Sequence, residues 1–258
     1  MRAFTHIRTM RTSTNVFAWH AHGWDLLMGP LRRWWVPSMA LTACVALAGW
    51  WGIGAASEGL SNWLLVSWGG NAFAQKTLEW VIWAMLLVIK VKVTKYVVLV
   101  FMGPLFAEVS ASAAAALGEP TKAFSWRQWL HEVVRGARAA LLMAVLELTI
   151  LVACWVLGLL VPVLSPVTLP LAWLVGAWVY GASAMDYVWE RNGMGARAGL
   201  RASLARPWMA LGLGVPFALW MSVPVLAWTV GPMMGGMLAS ASAAVALNGA
   251  SDHQAVTV

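Results

Sequence analysis

Charge is what this sequence has least of. Only 10% of its 258 residues are Asp, Glu, Lys or Arg, against roughly 25% in ordinary soluble domains. With 61% hydrophobic residues and a mean hydropathy of +0.73, a chain this small has more apolar surface than a soluble fold can bury. That excludes a soluble globular domain and points to an integral membrane protein. Cysteine is nearly absent too. Cys44 and Cys154 both lie inside apolar runs and read as small core hydrophobes, which leaves no disulfide framework and no thiolate metal pair. His20 and His22 stand two apart, so they point to different helix faces and make a poor metal site. The chain has no GxxxxGK[ST], HExxH, GxSxG or CxxC motif and no paired carboxylates in a polar setting. No enzyme, cofactor or metal is implied.

What the sequence does hold is tryptophan, arginine and long apolar runs. Nineteen Trp are present. Many sit near the ends of apolar runs, among them Trp34, Trp80, Trp126, Trp189 and Trp208, as in an aromatic belt at a membrane interface. The net charge is +7. No basic run interleaved with aromatics suggests nucleic acid, and the positive-inside rule accounts for the excess. The first 28 residues lack a signal-peptide pattern, so the first apolar run is expected to be an uncleaved anchor.

The apolar runs predict an all-α integral membrane fold of two long transmembrane helices followed by two helical hairpins. Residues 1–33 form a cytoplasmic segment and 34–57 a first span of 24 uncharged residues, about 36 Å as a helix. A second long helix covers 77–107. A basic cytoplasmic connection covers 108–138. The run from 139 to 189 is too long for one span and is broken by Pro162, Pro166 and Pro170, so it reads as a first hairpin. A cytoplasmic connection at 190–206 leads to a second hairpin over 207–247 and a tail over 248–258. The segments VPVLSPVTLP (161–170) and VPVLAWTVGP (223–232) echo each other 62 residues apart and mark the two hairpin tips. Arginine and lysine concentrate in 1–33, 108–138 and 186–206, which places these segments and the N-terminus on the cytoplasmic side.

Three groups of residues stand out for function. Ser125 and Gln128 have the capping-box spacing, and from there Arg127, His131, Arg135 and Arg138 recur at intervals of 4, 4 and 3. At ~100° per residue they share an arc of about 80°. This basic stripe needs an anion against its self-repulsion. Two readings fit it, lipid phosphate at the inner leaflet and a bound substrate anion. The stretch GPLRRWWVP (29–37) puts Arg32 and Arg33 at the border of the first span. A helix starting at Pro30 would leave the N–H groups of Leu31, Arg32 and Arg33 free for an anion; a plain arginine anchor fits equally well. Lys92 and Lys95 share a face of the second helix, with Lys90 off it. They lie either on an ion path or, in a span shifted to about 74–93, at the inner interface. Glu147 and Asp186 are the acids nearest the hairpin cores. Glu147 is either a buried salt-bridge partner or a pathway and coupling group.

Four segments carry a resemblance: GPLFAEVSASAAAALG (103–118), WLHEVVRGARAALL (129–142), YGASAMDYVWERNG (180–193) and the long stretch from GLGVPFALW to MLASASAA (212–244). In this order the chain resembles the CysZ sulfate-permease and etoposide-induced-protein family from about Trp24 to Leu247. The resemblance implies a helical oligomer in the bacterial inner membrane, with sulfate or a related oxyanion as partner alongside membrane lipids, feeding cysteine synthesis. It also implies an anion site at a Gly-Leu-Arg element, completed by arginines after the first cytoplasmic connection. Leu31 and Arg32 match that element, Arg33 extends it, Arg135 matches the second group with Arg138 nearby, and His131 stands where a basic residue is usual. Pro30 occupies the glycine position and brings no N–H. A non-transporting scaffold, with its basic face on anionic lipid or a partner protein, is the competing expectation.

Overall fold

The computed structural model describes residues 15–45, 101–120, 126–223 and 230–255, together with 47, 48, 51, 55, 63, 226 and 227. Lys90, Lys92, Lys95, Ser125 and most of the predicted second helix lie outside the described residues. Among the described residues there are helices and turns and no strand. The order is α1 (Val16–Met28), a 3-10 turn (Arg32–Trp34), α2 (35–45), α3 (Phe101–Ala116), α4 (Trp126–Leu160), a 3-10 turn (Pro162–Leu164), α5 (Ser165–Arg191), α6 (Ala196–Leu204), α7 (Pro207–Ser222) and α8 (Gly231–Ala255).

The stretches Leu130–Leu160 and Pro162–Arg191 are long and apolar enough to cross a membrane. They turn on each other at Val161, where Pro162 supplies the fixed φ for the next turn and no donor is lost. Pro170 lies inside α5 rather than ending it. Much of the outer surface of this pair is bare: Leu141, Val145, Val152 and Trp155 are exposed, and Leu159 and Val163 are 81% and 85% accessible. In water such a continuous apolar face would drive association; it suits lipid.

The core gathers around α8, whose GPMMGGMLASASAA run is almost wholly buried. On one side α8 meets α5 and α7 around Met185, Leu213 and Phe217; on the other it meets α1 and α3 around Leu27, Leu31, Met102 and Phe106. Small residues permit this approach. A side chain on Gly235 would overlap the Phe217 ring, and one on Gly236 the Phe106 ring. The α5–α7 crossing is closer still. Ala177 and Gly181 face Ala210 and Gly214, and a Cβ on either glycine would overlap a carbonyl of the facing helix. This is the small-xxx-small packing used where lipid gives helices no hydrophobic drive to associate.

Two glycines in left-handed conformation end α3 and α5. Gly118 (φ 96°) and Gly193 (φ 78°) are each followed by an amide that reaches back to the helix, Glu119 N–H to Ala114 O and Met194 N–H to Trp189 O. Any side chain is strained there, which is why glycine closes both helices.

Candidate functional site

The corner at residues 29–35 is built differently from the sequence expectation. α1 runs to Met28, so Leu31 and Arg32 follow a helix end instead of opening a helix. The Leu31 N–H donates to Leu26 O at 3.0 Å and the Arg32 N–H to Gly29 O at 3.2 Å. Two of the three amides expected to be free are therefore already bonded, that of Leu31 to a last-turn carbonyl of α1 that would otherwise lack a partner and that of Arg32 within the turn that follows. Leu31 is buried in the core beside Leu27 and Phe106. Arg32 is exposed. Arg33 is exposed too and donates from Nη2 to Ser112 Oγ (3.3 Å), which also receives Trp34 Nε1–H (3.1 Å). The Arg33 guanidinium lies 5.5 Å from the Trp34 ring centroid, within cation–π reach. The carbonyl end of α1 favours positive charge at this corner.

The basic stripe divides. Arg127, His131 and Arg138 are exposed, whereas Arg135 is buried. Helix geometry gives the reason. Taking Arg127 as zero, Arg138 and His131 fall at about 20° and 40°, and Arg135 at about 80°, the edge next to the inward residues Ala139 and Met143. Arg135 is committed to its own chain. Nη1 and Nη2 each donate to Asp186 at 3.0 Å, Nε donates to Met194 O at 2.8 Å, and Nη1 lies 3.4 Å from Glu190 Oε2. A bidentate guanidinium–carboxylate pair of this kind fixes geometry as well as charge. A second guanidinium works nearby. Arg191 donates to Glu119 Oε2 (3.1 Å), to Ser110 O and Oγ, and to Asn248 Oδ1. It thereby joins the ends of α3, α5 and α8.

Between α3, α4 and α5 lies a cavity of about 50 Å³. Gly103, Gly136 and Ala140 leave the room, and Glu108, Glu132, Asp186 and Glu190 supply four carboxyl groups to its wall. Glu108 is within electrostatic range of Glu132 and Arg33, and Glu190 within range of Glu132, Asp186 and Arg135. The corner and the stripe, far apart in sequence, are thus linked through acids. Glu147 is buried at 1% accessibility, in electrostatic range of Tyr180. Among the described residues no group of three His, Cys, Asp or Glu is placed to hold a metal ion.

Sequence reasoning singled out the bases and Asp186 but passed over Glu190, Glu132 and Glu119. Asp186 and Glu190 stand at i and i+4 in α5, Glu132 and Arg135 at i and i+3 in α4. Acids at helical spacing in otherwise apolar runs were the available signal.

An all-helical bundle with apolar spans and a cluster of exposed bases beside buried ion pairs is the class of a polytopic membrane protein. Within that class the chain belongs to the family described as sulfate transporter CysZ/etoposide-induced protein 2.4, whose model matches residues 19–232. No curated protein matches the chain.

Proposed function

We propose that this protein carries a small oxyanion, sulfate foremost, across the bacterial inner membrane as a homo-oligomer, with its N-terminus cytoplasmic. Membership of a family described as a sulfate transporter is the observation that carries this reading. The anion is held by side chains: Arg32 and Arg33 at the corner between α1 and α2, set in place by buried Leu31, with His131 and Arg138 on the outer face of α4. All four bases are solvent-accessible, and guanidinium groups match a tetrahedral oxyanion through charge-assisted hydrogen bonds. Arg135 acts behind them as the clamp that fixes α4 to α5. Lys92, Lys95 and Glu147 are candidates for the path.

Tracer sulfate uptake by the purified protein in liposomes tests this. Uptake is expected above empty vesicles, and it should be lost in Arg32→Ala and Arg33→Ala while both variants remain folded. Uptake no greater than that of empty vesicles would overturn the reading. It would favour a scaffold whose exposed bases rest on lipid phosphate, recognised by salt-sensitive binding to acidic liposomes.

A further inference from the structure

The cavity between α3, α4 and α5 is lined by acids from all three helices. Its wall presents Glu108, Glu132, Asp186 and Glu190. Arg135 neutralises Asp186 through two hydrogen bonds of 3.0 Å. Arg33 acts on Glu108 from the α1–α2 corner. α6 brings Gly199 against the Asp186 carboxylate and leaves its own Arg197 and Arg201 exposed. Tyr187, also in the wall, adds a neutral hydroxyl. Among the described residues Glu190 is the acid with an unsatisfied oxygen. Its side chain is only 8% exposed. Oε2 lies 3.4 Å from Arg135 Nη1, and Oε1 is buried with no hydrogen-bond partner among the described residues. A buried carboxylate oxygen without a donor is costly.

The wall supplies hard oxygen ligands: carboxylates and the hydroxyls of Ser183 and Tyr187. Hard oxygen prefers hard cations. The volume, about 50 Å³, holds a few water-sized particles at roughly 10–15 Å³ each. A divalent ion would need several carboxylates on one point, and no such convergence exists among the described residues. An anion would meet a wall of its own sign. We propose that this cavity binds one monovalent hard cation, a sodium ion or a proton, at Glu190 Oε1, with Glu132 and Glu108 attracting it.

The inference is independent of the oxyanion reading, and no sulfate enters its test. Thermal unfolding of the full-length protein in detergent is followed in choline chloride and in sodium chloride at equal ionic strength, from pH 6 to 8.5. If sodium is the occupant, replacing choline by sodium at tenfold excess over its dissociation constant raises Tm by roughly 3–6 °C. That rise vanishes in Glu190→Gln. If a proton is the occupant, sodium and choline give equal Tm, and the wild-type Tm falls as pH rises because the bound proton leaves. The fall is then removed in Glu190→Gln. Glu132→Gln keeps the cavity and Glu190 intact and serves should Glu190→Gln fail to fold; it shifts either response to several-fold weaker binding. The proposal is overturned if sodium has no effect and wild type and variants show the same dependence on pH, since that dependence then belongs to other groups.

Discussion

The segments between α4 and α5 and between α7 and α8 open with the same four letters, VPVL at 161 and at 223, yet the two helix pairs live in different surroundings. The α4–α5 tip projects, with Leu159 and Val163 among the most exposed apolar residues described. The last helix, α8, is enclosed by α1, α3, α5 and α7. The difference lies in residue size. α4 carries Leu, Val and Trp around its outer half; α8 carries Gly, Ala and Ser. Large apolar residues suit lipid, which asks nothing of shape, and small ones suit protein neighbours that must come close. The α4–α5 pair is therefore held at one end by ions, and α7–α8 is held along its length by contact.

Arg135→Ala gives the largest expected effect on that contrast. It leaves Asp186, 3% exposed, as an uncompensated buried charge, and detergent-solubilised protein should lose about 3–5 kcal/mol of stability. Replacing both partners with apolar residues, Arg135→Met with Asp186→Leu, should restore most of it. If the single variant unfolds at the wild-type temperature, ions do not hold the α4–α5 pair. Gly214→Leu comes next. Its side chain would overlap the Ala177 carbonyl, where backbone cannot yield, so a loss at the upper end of about 1–3 kcal/mol is expected, read as a lower unfolding midpoint. By contrast Gly136→Ala, with nothing within 4 Å of the new Cβ, should gain about 0.5–1 kcal/mol.

Smaller and pH-dependent is the clasp between α1 and the α7–α8 pair. His20 Nε2–H donates to Gly212 O at 3.0 Å, and Nδ1 accepts from Ser242 Oγ at 3.1 Å, which is the pattern of a neutral ring. Burial holds its pKa below the usual 6.5. The unfolded chain then binds the proton more readily, so stability is full above about pH 6.5 and declines as pH falls toward the lowered folded value. Unfolding midpoints from pH 7.5 to 5 should show this decline, and His20→Gln should flatten it. Least affected of all is Val163→Ser at the exposed tip, expected within about 0.5 kcal/mol in detergent; a larger loss would mean that the tip packs against something.

The helical, membrane-borne character of the chain was legible because composition and uncharged run length are sums over many residues, which no single contact can overturn. The tight turn between α4 and α5 was legible from Pro162, whose missing N–H permits few other places. The corner at Leu31 was misread for a local reason. Pro30 suggested a helix start, but α1 reaches Met28, a carbonyl of its last turn captures the Leu31 amide, and the Arg32 amide bonds to Gly29 in the turn that follows. The stripe was read as one face because the 80° arc is real; a boundary between solvent and protein passes through that arc, and periodicity does not mark which edge it cuts.

Sequence by itself determined that this is a helical membrane protein with its bases gathered near the ends of its apolar runs, since transfer energies and helix period depend on residue type alone. Only tertiary structure decided what each charge does. Arg32, His131 and Arg138 stay exposed, while Arg135 and Arg191 are taken by Asp186, Glu190 and Glu119. The energy of a charge is set by the few ångströms around it, and those neighbours come from helices 50 or more residues away.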